Sequence, residues 1–188
     1  MTSYIKFFSF TMKNVLCKHV VFILCITCSF HSISAEQNIH LFGTLVAEPC
    51  IIPPGEEEVE LDFGNIIDKY LYTNTRTPGY DFSIHLTECD LSVSNAVSIS
   101  FEGVESLSLP GLLSIDSGSS ASGIAIGIET MEGKQVLINH DKTSFALQEG
   151  ESNIDLKAYI QGEPDALINM NVAPGFFYAT AIFKLVYE

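Results

Sequence analysis

Residues 175–188 read GFFYATAIFKLVYE, and the fold follows from how this stretch is covered. Taken two residues at a time, one face carries Phe177, Ala179, Ala181, Phe183, Leu185 and Tyr187. The other carries Tyr178, Thr180, Ile182, Lys184, Val186 and Glu188. A period of two is the period of a β-strand. Chain ends usually fray, and an exposed apolar edge strand invites aggregation. A strand this apolar at the end of a chain therefore needs a cover, either as a central strand of its own sheet or by a segment brought from elsewhere.

Upstream the same period recurs. Val59, Leu61 and Phe63 alternate with acids; Phe82, Ile84 and Leu86 lead to Cys89; Val97, Ile99 and Phe101 alternate with serines. Ile124, Ile126 and Ile128 alternate with small residues, and Ile154, Leu156, Ala158 and Ile160 with Asp155, Lys157 and Tyr159. Turn chemistry separates the runs: Pro53-Pro54-Gly55, Thr77-Pro78-Gly79, Pro110-Gly111, Ser117 to Gly123, Glu132-Gly133, Glu149-Gly150 and Pro174-Gly175. No long stretch has helical period. Short strands at this spacing predict an all-β sandwich.

The first thirty-five residues differ in composition. They hold Lys6, Lys13 and Lys18 and no acid, then the apolar run VVFILCITCSF from Val20 to Phe30, then Ser32-Ile33-Ser34-Ala35. That layout predicts a cleaved secretory signal peptide over 1–35. Eleven apolar residues fall short of the roughly 20 that span a bilayer, so no stable membrane insertion is expected. Cys25 and Cys28 do not follow the small residue that a lipoprotein site carries.

Removing that leader changes the arithmetic. The whole chain has 9 Lys+Arg against 23 Asp+Glu and a net charge of −14; without the three leader lysines the charge is −17. Such an acid excess argues against nucleic acid as a partner, because phosphate needs basic patches. Of 5 cysteines only Cys50 and Cys89 remain. In an exported chain the pair reads as one disulfide, closing a loop whose entropy is worth roughly 3–4 kcal/mol. A metal pair fits poorly, for want of CxxC spacing and a nearby His pair. About 153 residues suit one sandwich and are too few for two.

A second terminal strand pattern lies just after the leader. Ile39, Leu41, Gly43 and Leu45 alternate with His40, Phe42, Thr44 and Val46, and Glu48-Pro49-Cys50 joins them to the body. With Gly43-x-Leu-Val-x-x-Pro-Cys50, Phe82-x-Ile-x-Leu-x-x-Cys89, Leu109-Pro110-Gly111, Gly123-Ile-Ala-Ile-Gly-Ile128, a penultimate Tyr187 and Gly175 fourteenth from the end, the chain resembles a pilin subunit of the chaperone–usher fimbriae of Gram-negative bacteria. The look is nearest to the minor and adaptor subunits of P-type or type 1-type pili.

The resemblance implies an incomplete immunoglobulin-like β-sandwich, completed by a donated strand. It implies three segments: the signal peptide over 1–35, a donor-strand extension over 36–47 and a pilin domain over 48–188. Ile39, Leu41, Gly43 and Leu45 would enter a neighbour's groove. Gly175, Ala179, Ala181, Phe183, Leu185, Tyr187 and Glu188 would form this chain's own acceptor strand, with the Glu188 carboxylate held by basic residues of a chaperone. The implied partners are a periplasmic pilus chaperone, an outer-membrane usher and neighbouring pilin subunits. The mode is β-strand addition, of which chaperone–pilin complementation is itself a standing example. The implied destination is the cell surface, as part of a fimbria that contributes to adhesion. A single-domain secreted carbohydrate-binding adhesin is the alternative.

Catalysis and cofactors find no support in the residues. No G-x-S-x-G elbow is present, the Gly123 to Gly127 stretch lacks the Lys and Ser/Thr of a P-loop, and there is no H-E-x-x-H or EF-hand acid spacing. The acid run Glu56-Glu57-Glu58 reads as a solvated loop.

Overall fold

The computed structural model describes residue 39 and residues 41–187. The expected signal peptide over 1–35, residues 36–38, His40 and the terminal Glu188 lie outside the described residues. The chain divides into two units, Met1–Thr44 and Leu45–Glu188. In the first, the described residues Ile39 and Leu41 to Thr44 are exposed and carry no strand.

The second unit is a sandwich of two antiparallel sheets. Its strands are β1 (Tyr80–Cys89), β2 (Ala96–Gly103), β3 (Leu113–Ser114), β4 (Ile124–Thr130), β5 (Gln135–Val136), β6 (Thr143–Ala146), β7 (Gly150–Gly162) and β8 (Ala181–Tyr187). The larger sheet has the order β1-β7-β4-β3, with β5 also on β4; the smaller has the order β6-β2-β8. The period of two in the sequence is the reason for the core. Ile84 and Leu86 of β1, Val97, Ile99 and Phe101 of β2, Ile126 and Ile128 of β4, and Ile154, Leu156 and Ala158 of β7 meet between the sheets. Removing such side chains from water is the main favourable term in folding.

Strand β4 departs from simple alternation: all seven of its residues are buried. Its inward isoleucines enter the core. On the other face, Ala125 packs with Tyr159, Leu109 and Leu112 in a separate cluster. The Tyr159 ring lies so close over Gly127 that any side chain there would strike it. Arg76 stacks 4.1 Å above the same ring and grips Glu129 with two hydrogen bonds, of 2.8 and 3.3 Å. The small residues of the 124–128 run are thus the floor on which Tyr159 lies.

Periodicity alone does not settle every element. The alternating run Val59, Leu61, Phe63 forms no strand, and neither do the described residues of 39–46. A strand needs a ladder for its backbone groups, and neither segment has a β partner among the described residues. Among the described residues two short helices also appear, α1 (Asp68–Asn74) and α2 (Pro164–Ile168). Each buries a single residue, Leu71 or Ala166, so too few turns are present for a helical period to show in sequence. Pro164 opens α2, where its missing N–H costs nothing.

The expected disulfide is present between Cys50 and Cys89. It fastens the end of β1 to the start of the domain. Beside it Ile51 and Thr87 exchange backbone hydrogen bonds of 2.8 Å, and the Asp90 N–H donates to the Pro49 carbonyl.

Candidate functional site

Strand β8 pairs with β2 through Val97↔Tyr187 to Gly103↔Ala181. On its other side no strand pairs with it among the described residues. It is an edge strand, not a central one. Its burial shows the consequence. The inward residues of β1, β2 and β7 are mostly below a tenth exposed, whereas every inward residue of β8 is only half-buried. Ala181, Phe183, Leu185 and Tyr187 pack against the core while staying only partly buried. On the outward face Ile182 and Val186 are exposed, and Lys184 pairs with Glu102 at 2.6 Å.

Opposite β8 runs the segment 57–63, and between the two lies a groove of about 780 Å³. One wall is residues 178–183. The other is residues 57–63. The floor is core side chains: Phe82 and Ile84 of β1, Phe101 of β2, Ile126 and Ile128 of β4, and Ala158 of β7. Two contacts join the flanking segments near or beyond the groove. Phe63 packs against Phe177, with ring centroids 6.1 Å apart, and the Tyr187 hydroxyl donates to the Cys50 carbonyl at 3.3 Å. Burial, with the Glu48 carboxylate adding to it, holds the Tyr187 phenol above its ordinary pKa. The disulfide anchors one wall directly, because Cys50 begins the segment that leads into it.

The groove is apolar below and acidic at its lip. Glu57, Glu58, Glu60 and Asp62 line its mouth, and no Lys or Arg does. Local bonds satisfy part of this set: Glu57 accepts the Gly55 N–H and Asp62 the Gly64 N–H. Neighbouring Glu56 meets His85 of β1 at 3.2 Å.

The expected acceptor residues are placed as follows. Ala179, Ala181 and Phe183 line the groove; Leu185 and Tyr187 continue the same face against the core without lining it. Glu188 lies outside the described residues. Gly175 has no left-handed backbone; a side chain on it would meet the Ser120–Ala121 backbone at 2.8 Å. There the chain enters the final segment pressed against the 116–122 loop, with Asp116 N–H donating to Tyr178 and Ala121 N–H to Phe176. Of the expected donor face, Ile39, Leu41 and Leu45 are 76%, 91% and 100% exposed. Nothing comes within 4 Å of the place a Gly43 side chain would take.

Sequence reasoning missed the second wall and the floor. Leu61 and Phe63 carried a visible alternation, but nothing in their spacing says that they face a gap. Phe82 and Phe101 are separated by a turn and belong to different sheets, so only the packed structure brings them to one floor. Among the described residues no group of three or more His, Cys, Asp or Glu is placed to hold a metal. No helix there is long and apolar enough to cross a membrane.

Comparison with known proteins bears on this geometry. A family profile described as "Fimbrial protein" matches residues 39–188. The chain is 30% identical over 146 residues to the Fimbria A protein of Serratia marcescens, covering 78% of this chain and 81% of that one. It is 29% identical over 169 residues to the fimbrial adapter PapK of Escherichia coli, covering 85% and 94%. The solved structure of the P pilus rod subunit PapA superposes with a TM-score of 0.64 at 23% identity, covering 75% of this chain and 100% of that one.

Proposed function

The chain belongs to the fimbrial protein family and is a structural subunit of chaperone–usher pili, and we propose that it joins its neighbours by donor-strand exchange, in an adaptor position. As a subunit of surface fimbriae it works by contact with other pilins and is not an enzyme. The observation that carries the proposal is the groove beside the unpaired edge of β8. A full-length edge with half-exposed core side chains costs stability until a strand fills it, and β-strand addition is the general solution.

The domain order expected from the sequence fits this role: signal peptide 1–35, donor extension 36–47 and pilin domain 48–188. Ile39, Leu41, Gly43 and Leu45 form the donated face. The described residues of that segment are exposed and unpaired, and so free to be given away. Ala179, Ala181, Phe183, Leu185 and Tyr187 form the receiving face, Gly175 lets the chain lie close against the 116–122 loop as it enters that face, and Glu188 offers its carboxylate to a periplasmic chaperone. The chaperone fills the groove first, and at the outer-membrane usher a neighbour's segment replaces it. A chain that both receives and donates a strand sits between two neighbours. Its likeness to a protein named as a fimbrial adapter supports that place. Through the fibre it contributes to cell adhesion.

The test is stability with and without a strand. Purified mature protein is expected to unfold or aggregate readily, and a donor segment fused after Glu188 is expected to raise the melting temperature sharply. Equal melting of the two forms sinks the reading.

A further inference from the structure

The lip of the groove carries information that its floor does not. Glu57, Glu58, Glu60 and Asp62 stand on one wall, and the facing wall, residues 178–183, has no charged residue. Among the described residues none of these four carboxylates has a salt bridge to a Lys or Arg. They are exposed at the mouth, so their field falls on whatever lies in the groove with its outward side chains toward solvent.

This chain's own extension is a poor match for that field. Residues 36–47 read EQNIHLFGTLVA. They hold one acid, Glu36, and no Lys or Arg. The rest of the chain after the leader is also strongly acidic, with 6 Lys+Arg in all. Two copies approaching each other therefore bring like charge to the same lip. Charge complementarity across an interface governs partner choice and association rate more than final affinity, and a cleft lined by one sign of charge draws the opposite sign toward it.

We infer that the groove is built for a cationic donor strand. The occupant is the N-terminal extension of a different pilin subunit, with alternating apolar residues for the floor and Lys or Arg on the outward positions, not the extension of a second copy of this chain. The inference rests on the donor-strand reading above and adds partner selectivity to it. The apolar floor accepts either strand; the lip makes the cationic one arrive faster.

Two peptides separate the possibilities. One is residues 36–47 as they stand. The other is the same peptide with Asn38→Lys and Thr44→Lys, both on the outward face. Association with the mature chain, residues 36–188, is followed by stopped-flow fluorescence of a label on the peptide, and the complexes are melted. The cationic peptide is expected to associate about tenfold faster at about 0.01 M salt, with the advantage gone near 1 M, where the screening length is about 3 Å. In a Glu58→Gln/Glu60→Gln acceptor the advantage is expected to shrink by at least half. Both residues are exposed, and the salt series on the unaltered chain tests the same point without any variant. Equal rates for the two peptides at low salt, with both raising the melting temperature, overturn the inference and leave donor-strand exchange standing. If neither peptide raises the melting temperature, both fall.

Discussion

Gly175 and Tyr159 show how much of this fold is set by single positions. Gly175 is needed for closeness, because the Ser120–Ala121 backbone occupies the space a Cβ would take. Gly175→Ala must push the 173–178 segment off the 116–122 loop and disturb the hydrogen bonds to Phe176 and Tyr178. The expected loss is about 1–3 kcal/mol, the range for overpacking, read from urea unfolding of the strand-complemented protein; a loss near zero would mean that the two segments are not pressed together. Tyr159 makes a prediction about pH. Burial pushes its phenol above the ordinary value of 10.0, against the opposing pull of Arg76, and burial does the same to Tyr187. A folded-state pKa above the unfolded one gives stability that is full below the unfolded pKa and is lost as pH rises through the folded one. The melting temperature is therefore expected to begin falling near pH 10, and Tyr159→Phe to flatten that fall. An unchanged slope in Tyr159→Phe would assign the loss to other groups. The Arg76–Glu129 pair has a different role: Glu129 is 5% exposed, and the two hydrogen bonds from Arg76 keep its carboxylate satisfied there.

At the scale of elements, the two sheets are unequally finished. Strand β7 lies between β1 and β4, paired on both sides, whereas β8 is paired on one. Amide hydrogen exchange should reflect this, since protection follows burial and pairing. In the uncomplemented chain the amides of β7 are expected to be protected more than those of residues 181–187. Adding a donor strand is expected to slow exchange in 181–187 and in 57–63 while changing β7 less. Equal protection of β7 and β8 before any strand is added would contradict an open edge. The same inequality explains which elements are legible in the sequence. Strands β1, β2, β4 and β7 are visible there because their inward apolar residues recur at every second residue over five to seven positions. Helices α1 and α2 are not, being one or two turns long with one buried side chain each. The 59–63 run has the pattern of a strand, but pattern cannot supply the ladder partner that makes one. Strand β8 is legible from its composition. Its counterpart wall and the phenylalanine floor depend on contacts between distant segments, which no local spacing encodes.

For the molecule as a whole, the central question is whether giving and receiving a strand are separable. The described residues of 39–46 are exposed and join no strand. The groove, by contrast, is made wholly from residues between Glu57 and Phe183. Its walls are tied by contacts that leave the extension out: Cys50–Cys89, Tyr187 to the Cys50 carbonyl, and Phe63 against Phe177. Exposed residues without partners contribute little to folding free energy, so under the proposed strand exchange the extension would serve the neighbour's stability and not its own. Deleting residues 36–47 is accordingly expected to leave the melting temperature unchanged in protein that carries a donor strand fused after Glu188. The same deletion is expected to abolish the chain's ability to stabilise an empty acceptor groove in a second subunit, measured by the melting of that subunit. The two readouts move independently only if each chain is a complete acceptor and a separate donor. A fall in the deleted chain's own melting by more than a few degrees would show that the extension is part of its own sandwich, and the acceptor groove would then be an internal site with an internal occupant.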